Sequence, residues 1–139
     1  DHRRIEAVMN ALERELAAGR PFPAEFIGRA LTFFTEYADH FHHYKEEEHL
    51  FPALAAAGVP VDGGPIGVML QDHAMGRSLL AAVRSWLDEA GRGNAAAQQE
   101  VRGYALQYLE LLRQHIWKED TVLFRLAPRV LDDAAKLRL

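Results

Sequence analysis

The chain has 139 residues, 49% apolar and 26% charged, which suits one soluble domain with a single hydrophobic core and excludes a disordered chain. A net charge of −4 with no basic block argues against nucleic acid as a partner. No apolar run approaches the roughly 20 residues that a membrane-spanning helix needs. The opening residues Asp1-His2-Arg3-Arg4 do not lead into the apolar stretch of a secretory signal, so a cytoplasmic protein is expected.

Four helices are predicted, cut by breaker residues. The first, over residues 1–18, repeats Ile5, Val8, Met9, Leu12 and Leu16 at steps of three and four and ends at Gly19-Arg20-Pro21-Phe22-Pro23. The second, over 24–56, carries Ile27, Leu31, Phe34, Ala38 and Phe41 and ends in the segment from Gly58-Val59-Pro60 to Gly63-Gly64-Pro65. The third, over 65–90, offers Leu70, Leu79, Leu80, Val83 and Leu87 before Gly91-Arg92-Gly93-Asn94. The fourth, over 95–126, has Val101, Tyr104, Tyr108, Leu111, Leu112, Val122 and Leu126 before Pro128, and 130–139 is a short terminal helix or a frayed tail. Short connections make successive helices antiparallel neighbours. The expected fold is therefore all-α, a single domain over 1–139 built as an up-down-up-down antiparallel four-helix bundle.

Two counts narrow the chemistry. Seven histidines and no cysteine exclude disulfides, thiolate zinc sites, iron–sulfur clusters and cysteine nucleophiles. Any metal must be held by imidazole and carboxylate, donors that suit iron, zinc, manganese or copper. One stretch occurs twice: His42-His43-Tyr44-Lys45-Glu46-Glu47 running to Leu50-Phe51, and His115-Ile116-Trp117-Lys118-Glu119-Asp120 running to Leu123-Phe124. At about 100° per residue, positions four apart lie one turn apart on the same face. His42 with Glu46, and His115 with Glu119, each present an imidazole above a carboxylate.

On the fourth helix the phase from Tyr104 through Tyr108, Leu111 and His115 to Glu119 points both donors inward, and Asp120 needs a local distortion to join them. On the second the phase is divided. Upstream apolar residues favour His42, Leu50 and Leu54 favour His43 and Glu47, and the internal repeat selects His42 and Glu46 because His42 aligns with His115. The first helix adds His2, in phase with Met9, and the third adds His73. A lone histidine on an apolar stripe is most often a hydrogen-bonded core residue. One on each of four helices, two with a matched glutamate, is a different pattern. Burying Glu46 and Glu119 without a cation costs several kcal/mol, and Lys45 and Lys118 point about 100° away from them. Four histidines and two glutamates exceed the needs of one tetrahedral zinc and favour a dinuclear site. Glu46-x-x-His49 is the one Glu-x-x-His spacing, too few for a ferritin-like carboxylate site. The H-E-x-x-H pattern of zinc hydrolases is absent.

Taken in order, these elements resemble the hemerythrin-like, or HHE cation-binding, family. The resemblance rests on Asp1-His2, on His42-x-x-x-Glu46-Glu47 closing with Leu50-Phe51-Pro52, on Asp72-His73, and on His115-x-x-x-Glu119-Asp120 closing with Leu123-Phe124. It implies a non-haem centre of two iron ions, bridged by an oxo or hydroxo group and by carboxylates, with His2, His42, Glu46, His73, His115 and Glu119 as ligands. Dioxygen, peroxide or nitric oxide are the implied small ligands, and oxygen or redox sensing or iron handling the implied role. Two departures bear on this. Oxygen-carrying members place a second histidine on the third helix where this chain has Met69, and the fourth helix offers both Glu119 and Asp120. An iron left open at Met69, or completed by His43, Glu47 or Tyr108, points away from oxygen transport. Two alternatives stay open: an enzyme acting on peroxide or nitric oxide, and a metal-free interaction bundle.

Overall fold

The structure, a computed structural model, describes residues 2–18, 21–58 and 64–123, apart from the side chains of His40, Phe41, His42, Pro65, Val122 and Leu123. The expected terminal segment 130–139 lies outside the described residues. Every regular element within them is helical: α1 (His2–Ala17), α2 (Ala24–Phe33), π1 (Phe34–His43), π2 (Glu46–Leu50), α3 (Phe51–Ala56), α4 (Pro65–Gly91), α5 (Ala95–Lys118) and π3 (Glu119–Leu123). The segment expected as one α-helix over 24–56 is a succession of α2, π1, π2 and α3. The last predicted helix likewise passes from α5 into π3. The described chain therefore contains five α-helices and three π-helical stretches rather than four uniform rods.

Local chemistry fixes the ends. Pro65 opens α4, where its missing N–H would have no intrahelical acceptor. The Asn94 side chain accepts from the Ala97 N–H at 3.0 Å and caps α5. Gly58 and Gly93 take φ of 101° and 97°, the left-handed conformation that turns the chain after α3 and α4.

Contacts at successive levels give the relative directions. Along α1, His2 meets Glu119 and Asp120, Glu13 meets Arg113, and the Leu16 carbonyl accepts from Arg102, so α1 runs antiparallel to α5. Asp72 with Lys118 at one end and the Ala90 carbonyl with Gln98 at the other make α4 and α5 antiparallel. Thr35 with Arg84 and Asp39 with Arg77 do the same for π1 and α4. Among the described residues no helix is long and apolar enough to cross a membrane.

The interior is layered. A main apolar cluster includes Ile5, Met9, Phe34, Leu80, Val101 and Leu109. A smaller one is made by Leu50, Phe51, Leu54, Ile66 and Met69. Between them along three helical segments lie the buried polar residues: Asp39, His43 and Glu46 after Phe34, His73 between Met69 and Leu79, and His115 after Leu112. Tyr108 packs on Phe34 at 5.0 Å between ring centroids, beneath Gly76, whose missing side chain lets the ring approach α4. Asn94→Ala is expected to lower stability by about 1 kcal/mol, read as a lower denaturant midpoint with an unchanged slope.

Candidate metal centre

The backbone of the second helical segment decides which side chains enter the polar layer. An α-helix would carry the buried stripe of Ile27, Leu31, Phe34 and Ala38 on to residues 41 and 42. In π1 each turn takes one residue more, and the buried positions advance by five: Phe34 to Asp39, and Ala38 to His43. π2 repeats the step from Glu46 to Phe51, whose N–H donates to the Glu46 carbonyl. His43, the reserve ligand in the sequence, is thereby buried beside Glu46. The side chain of His42, the ligand expected from the α-helical phase and the repeat, lies outside the described residues.

One donor atom each from His43, Glu46, His73, His115 and Glu119 lies within 4.8 Å of the others. All five residues are buried, from 6% exposed at His43 to 0% at Glu119. His73 Nε2 is 3.2 Å from His115 Nε2 and 3.9 Å from Glu46 Oε1. His115 Nε2 also meets Glu119 Oε1. The His43 and His73 rings stack with centroids 4.0 Å apart. Of the expected ligands, the structure thus brings together Glu46, His73, His115 and Glu119. His2 stands one step outside, its Nε2 3.0 Å from Glu119 Oε2 and its Nδ1 3.0 Å from Asp120 Oδ1. The turn at Glu119 is π3, the local distortion that Asp120 needed to reach the same side. Glu48 and His49, beside Glu46 and Glu47 in sequence, are exposed to solvent and stand apart from this group.

An outer ring of acids stands behind the imidazoles. Glu47 Oε2 is 3.2 Å from His73 Nδ1, Asp72 Oδ2 is 3.1 Å from His115 Nδ1, and Asp39 Oδ1 is 3.8 Å from His43 Nδ1. Asp72 therefore serves the histidine across the helix pair rather than its sequence neighbour His73. Lys118 donates to Asp72 at 3.2 Å, which is where the lysine beside Glu119 turns. Sequence spacing missed Asp39, which stands one turn before His43 rather than before the expected His42, and the role of Asp72, which acts across helices. Met69 is buried in the small apolar cluster and supplies part of its wall.

Electrostatics follow from this crowding. Burial first, then the charge and hydrogen bonding of Glu119, then the charge of Glu47, push the Glu46 carboxyl up to about 10. Burial, reinforced by His43 and His115, brings His73 down to about 2. The hydrogen bond that its ring donates to Glu119 raises His2 above its usual value, against the opposing effect of its burial. Burial and then the Asp39 charge raise the Tyr108 phenol, which stays neutral. Lone pairs of imidazole and carboxylate thus converge on one another, an arrangement that a cation relieves. The nitrogen and oxygen donors suit iron, zinc, manganese or copper.

Over residues 1–127 the chain matches the family model for the hemerythrin HHE cation-binding domain. The chain belongs to that family. No match was found among curated proteins or among solved structures. For this HHE domain the buried His/Glu group is the place where a metal cation fits, and its donors come from the segments that carried the resemblance.

Glu46 and His73, displaced furthest within the neutral range, dominate the pH response of the metal-free HHE domain, and the raised His2 adds to its alkaline side. Glu46 rises on folding from 4.5 to about 10, so across that window the native chain holds a proton that the unfolded chain has lost. Stability therefore falls as pH rises through it. His73 drops from 6.5 to about 2, so its contribution is present above pH 6.5 and is lost as pH falls toward 2. Between 4.5 and 6.5 the slopes oppose each other, and metal-free stability is expected to be greatest there. Denaturant titrations from pH 4 to 9 check this. Glu46→Gln should flatten the alkaline limb, a slope of roughly 1 kcal/mol per pH unit.

Proposed function

We propose that this HHE domain is a non-haem iron protein that holds two ions in the polar layer and serves oxygen or redox sensing or iron handling. The observation that carries the reading is the set of five buried donors within 4.8 Å of one another. Glu119 supports two ions rather than one. Its Oε1 lies against His115 and its Oε2 lies 3.0 Å from His2, a placement from which one carboxylate can join two metals. The proposed ligands on the inner side are His43, Glu46, His73 and His115, with His43 supplied by the π1 register in the place that spacing gave to His42. His2 takes the outer side and Glu119 lies between, with Asp120 beside His2. Nitrogen and oxygen donors in this number exceed a tetrahedral zinc site and suit five- or six-coordinate iron. The antiparallel pairs described above support the up-down-up-down four-helix bundle expected from the sequence.

Iron bound there supplies one-electron chemistry toward dioxygen, peroxide or nitric oxide. The chain's own contribution is placement and exclusion of water. Phe51 stacks on His73 at 5.9 Å between centroids, and Leu54, Ile66 and Met69 are 0–2% exposed in the layer beside it. Asp39, Glu47 and Asp72 orient the rings from behind.

A second reading, an enzyme acting on peroxide or nitric oxide with the same centre, draws on Met69. Its burial among Leu50, Phe51, Leu54 and Ile66 leaves α4 with His73 as its buried imidazole, so an ion there has fewer protein nitrogens and more room for a small ligand. Metal analysis after anaerobic iron loading tests the first reading. Two irons per chain are expected, falling to one or fewer in Glu119→Ala. Iron should also raise the midpoint of thermal unfolding, since a ligand at about a thousand times its Kd adds roughly 4 kcal/mol. No iron uptake with an unchanged midpoint overturns the proposal and favours a metal-free interaction bundle. Oxygen evolution from peroxide well above that of Glu46→Ala supports the enzyme.

A further inference from the structure

Arg77 lies on α4 one turn beyond His73 and belongs to neither the five-donor group nor the apolar layers. Its guanidinium reaches two acids of the outer ring at once. Nε donates to Asp39 Oδ1 at 2.8 Å and Oδ2 at 3.0 Å, and Nη2 donates to Glu47 Oε2. Those two acids stand behind two different imidazoles, Asp39 behind His43 and Glu47 behind His73. The third imidazole is held by separate parts, Asp72 and Lys118.

From this geometry we infer that Arg77 is a positioning residue, a clamp that fixes the rings of His43 and His73 together through Asp39 and Glu47. Accepting from Arg77, Glu47 is held where it takes the Nδ1–H of His73 at 3.2 Å, and Asp39 is held facing His43 Nδ1 at 3.8 Å, an arrangement that favours the proton on Nδ1 of each ring and leaves Nε2 its lone pair. The stacked rings, 15° from parallel, are what two imidazoles locked from one side produce. A planar fork with five donors suits this task and an ammonium does not: lysine has one nitrogen and cannot present two separated donor groups to two carboxylates. The clamp also neutralises two buried or half-buried acids, which without it would repel the carboxylates of the centre. Asp39 is 8% exposed, and the His43 and Arg77 hydrogen bonds hold its carboxyl below its usual value against the burial that would raise it.

The inference rests on the metal reading above, and the experiment separates the two. Iron(II) is loaded anaerobically into the wild type, Arg77→Met, Arg77→Lys and Lys118→Met, and its dissociation constant is measured against a colorimetric chelator. Proton spectra of the same samples, in light and heavy water, follow the hyperfine-shifted, exchangeable Nδ1–H signals of the bound imidazoles. Arg77→Met is expected to weaken iron binding by about ten- to a hundred-fold and to lose the His43 and His73 signals to exchange with solvent, keeping that of His115. Arg77→Lys should restore at most one of the two. Lys118→Met should disturb the His115 signal and spare the other two. Wild-type affinity in Arg77→Met with all three signals intact overturns the clamp. So does uniform loss of all three signals with a matching drop in metal-free stability, since that is a general loss of structure. A wild type that takes up no iron overturns the metal reading and the clamp with it.

Discussion

The constraint on which the structure depends is the burial of like-behaving groups in contact. Three imidazoles and two carboxylates meet within 4.8 Å, all of them acceptors in the forms that bind a cation. Such a group is costly in a low-dielectric interior unless protons or a positive ion compensate it. The Glu46 carboxyl, pushed up to about 10, retains its proton in neutral solution when no ion is bound. The apolar layers on either side strengthen this coupling. Every neighbour that excludes water raises the cost of an uncompensated charge, and so raises the reward for the ion that compensates it.

Backbone geometry serves that layer. π-helical turns are rare and their hydrogen bonds poorer, so three such stretches in one small chain need a reason. Two of them flank the point where the second helical segment enters the polar layer. They advance the buried stripe by five residues from Phe34 to Asp39 and from Glu46 to Phe51, steps that α-helical spacing does not allow, so that Asp39, His43 and Glu46 face the same interior as Phe34 and Phe51. The third begins at Glu119 and lets two consecutive acids meet the same imidazole, His2, though an α-helix sets neighbours about 100° apart.

The helical composition, the breakers and the phase of the fourth helix were legible in sequence because each is a local property repeated over many residues. Ile5, Met9, Leu12 and Leu16 on α1 occupy the face that their spacing assigned. His115 and Glu119 were legible for the same reason, with seven apolar or small buried positions keeping the phase through α5. The choice between His42 and His43 was not, since it turns on a change of helical pitch that leaves no mark in residue type. The divided phase was nevertheless its trace: Phe34 and Ala38 pointed to one register, Leu50 and Leu54 to the other, and a π-helical step between them satisfies both. The pairings of Arg77 with Asp39 and Glu47, and of Asp72 with His115, were illegible because each joins residues 30 or more positions apart, where spacing carries no information.

Charge balance ties the inner donors to the outer ring. Around the three imidazoles stand five acids, Asp39, Glu46, Glu47, Asp72 and Glu119, and the cations Arg77 and Lys118 that pair with three of them, a difference of three charges between these groups with every acid ionised. One divalent ion leaves that layer one charge negative, which retention of the Glu46 proton cancels. Under the proposed two-ion reading, a second divalent ion would displace that proton and leave the layer one charge positive, a state that would favour an anionic small ligand. Removing Arg77 adds a further uncompensated negative charge and shifts each of these states toward more protons or more metal. The proposed clamp therefore acts on electrostatics as well as on geometry, through a guanidinium that touches none of the proposed ligands.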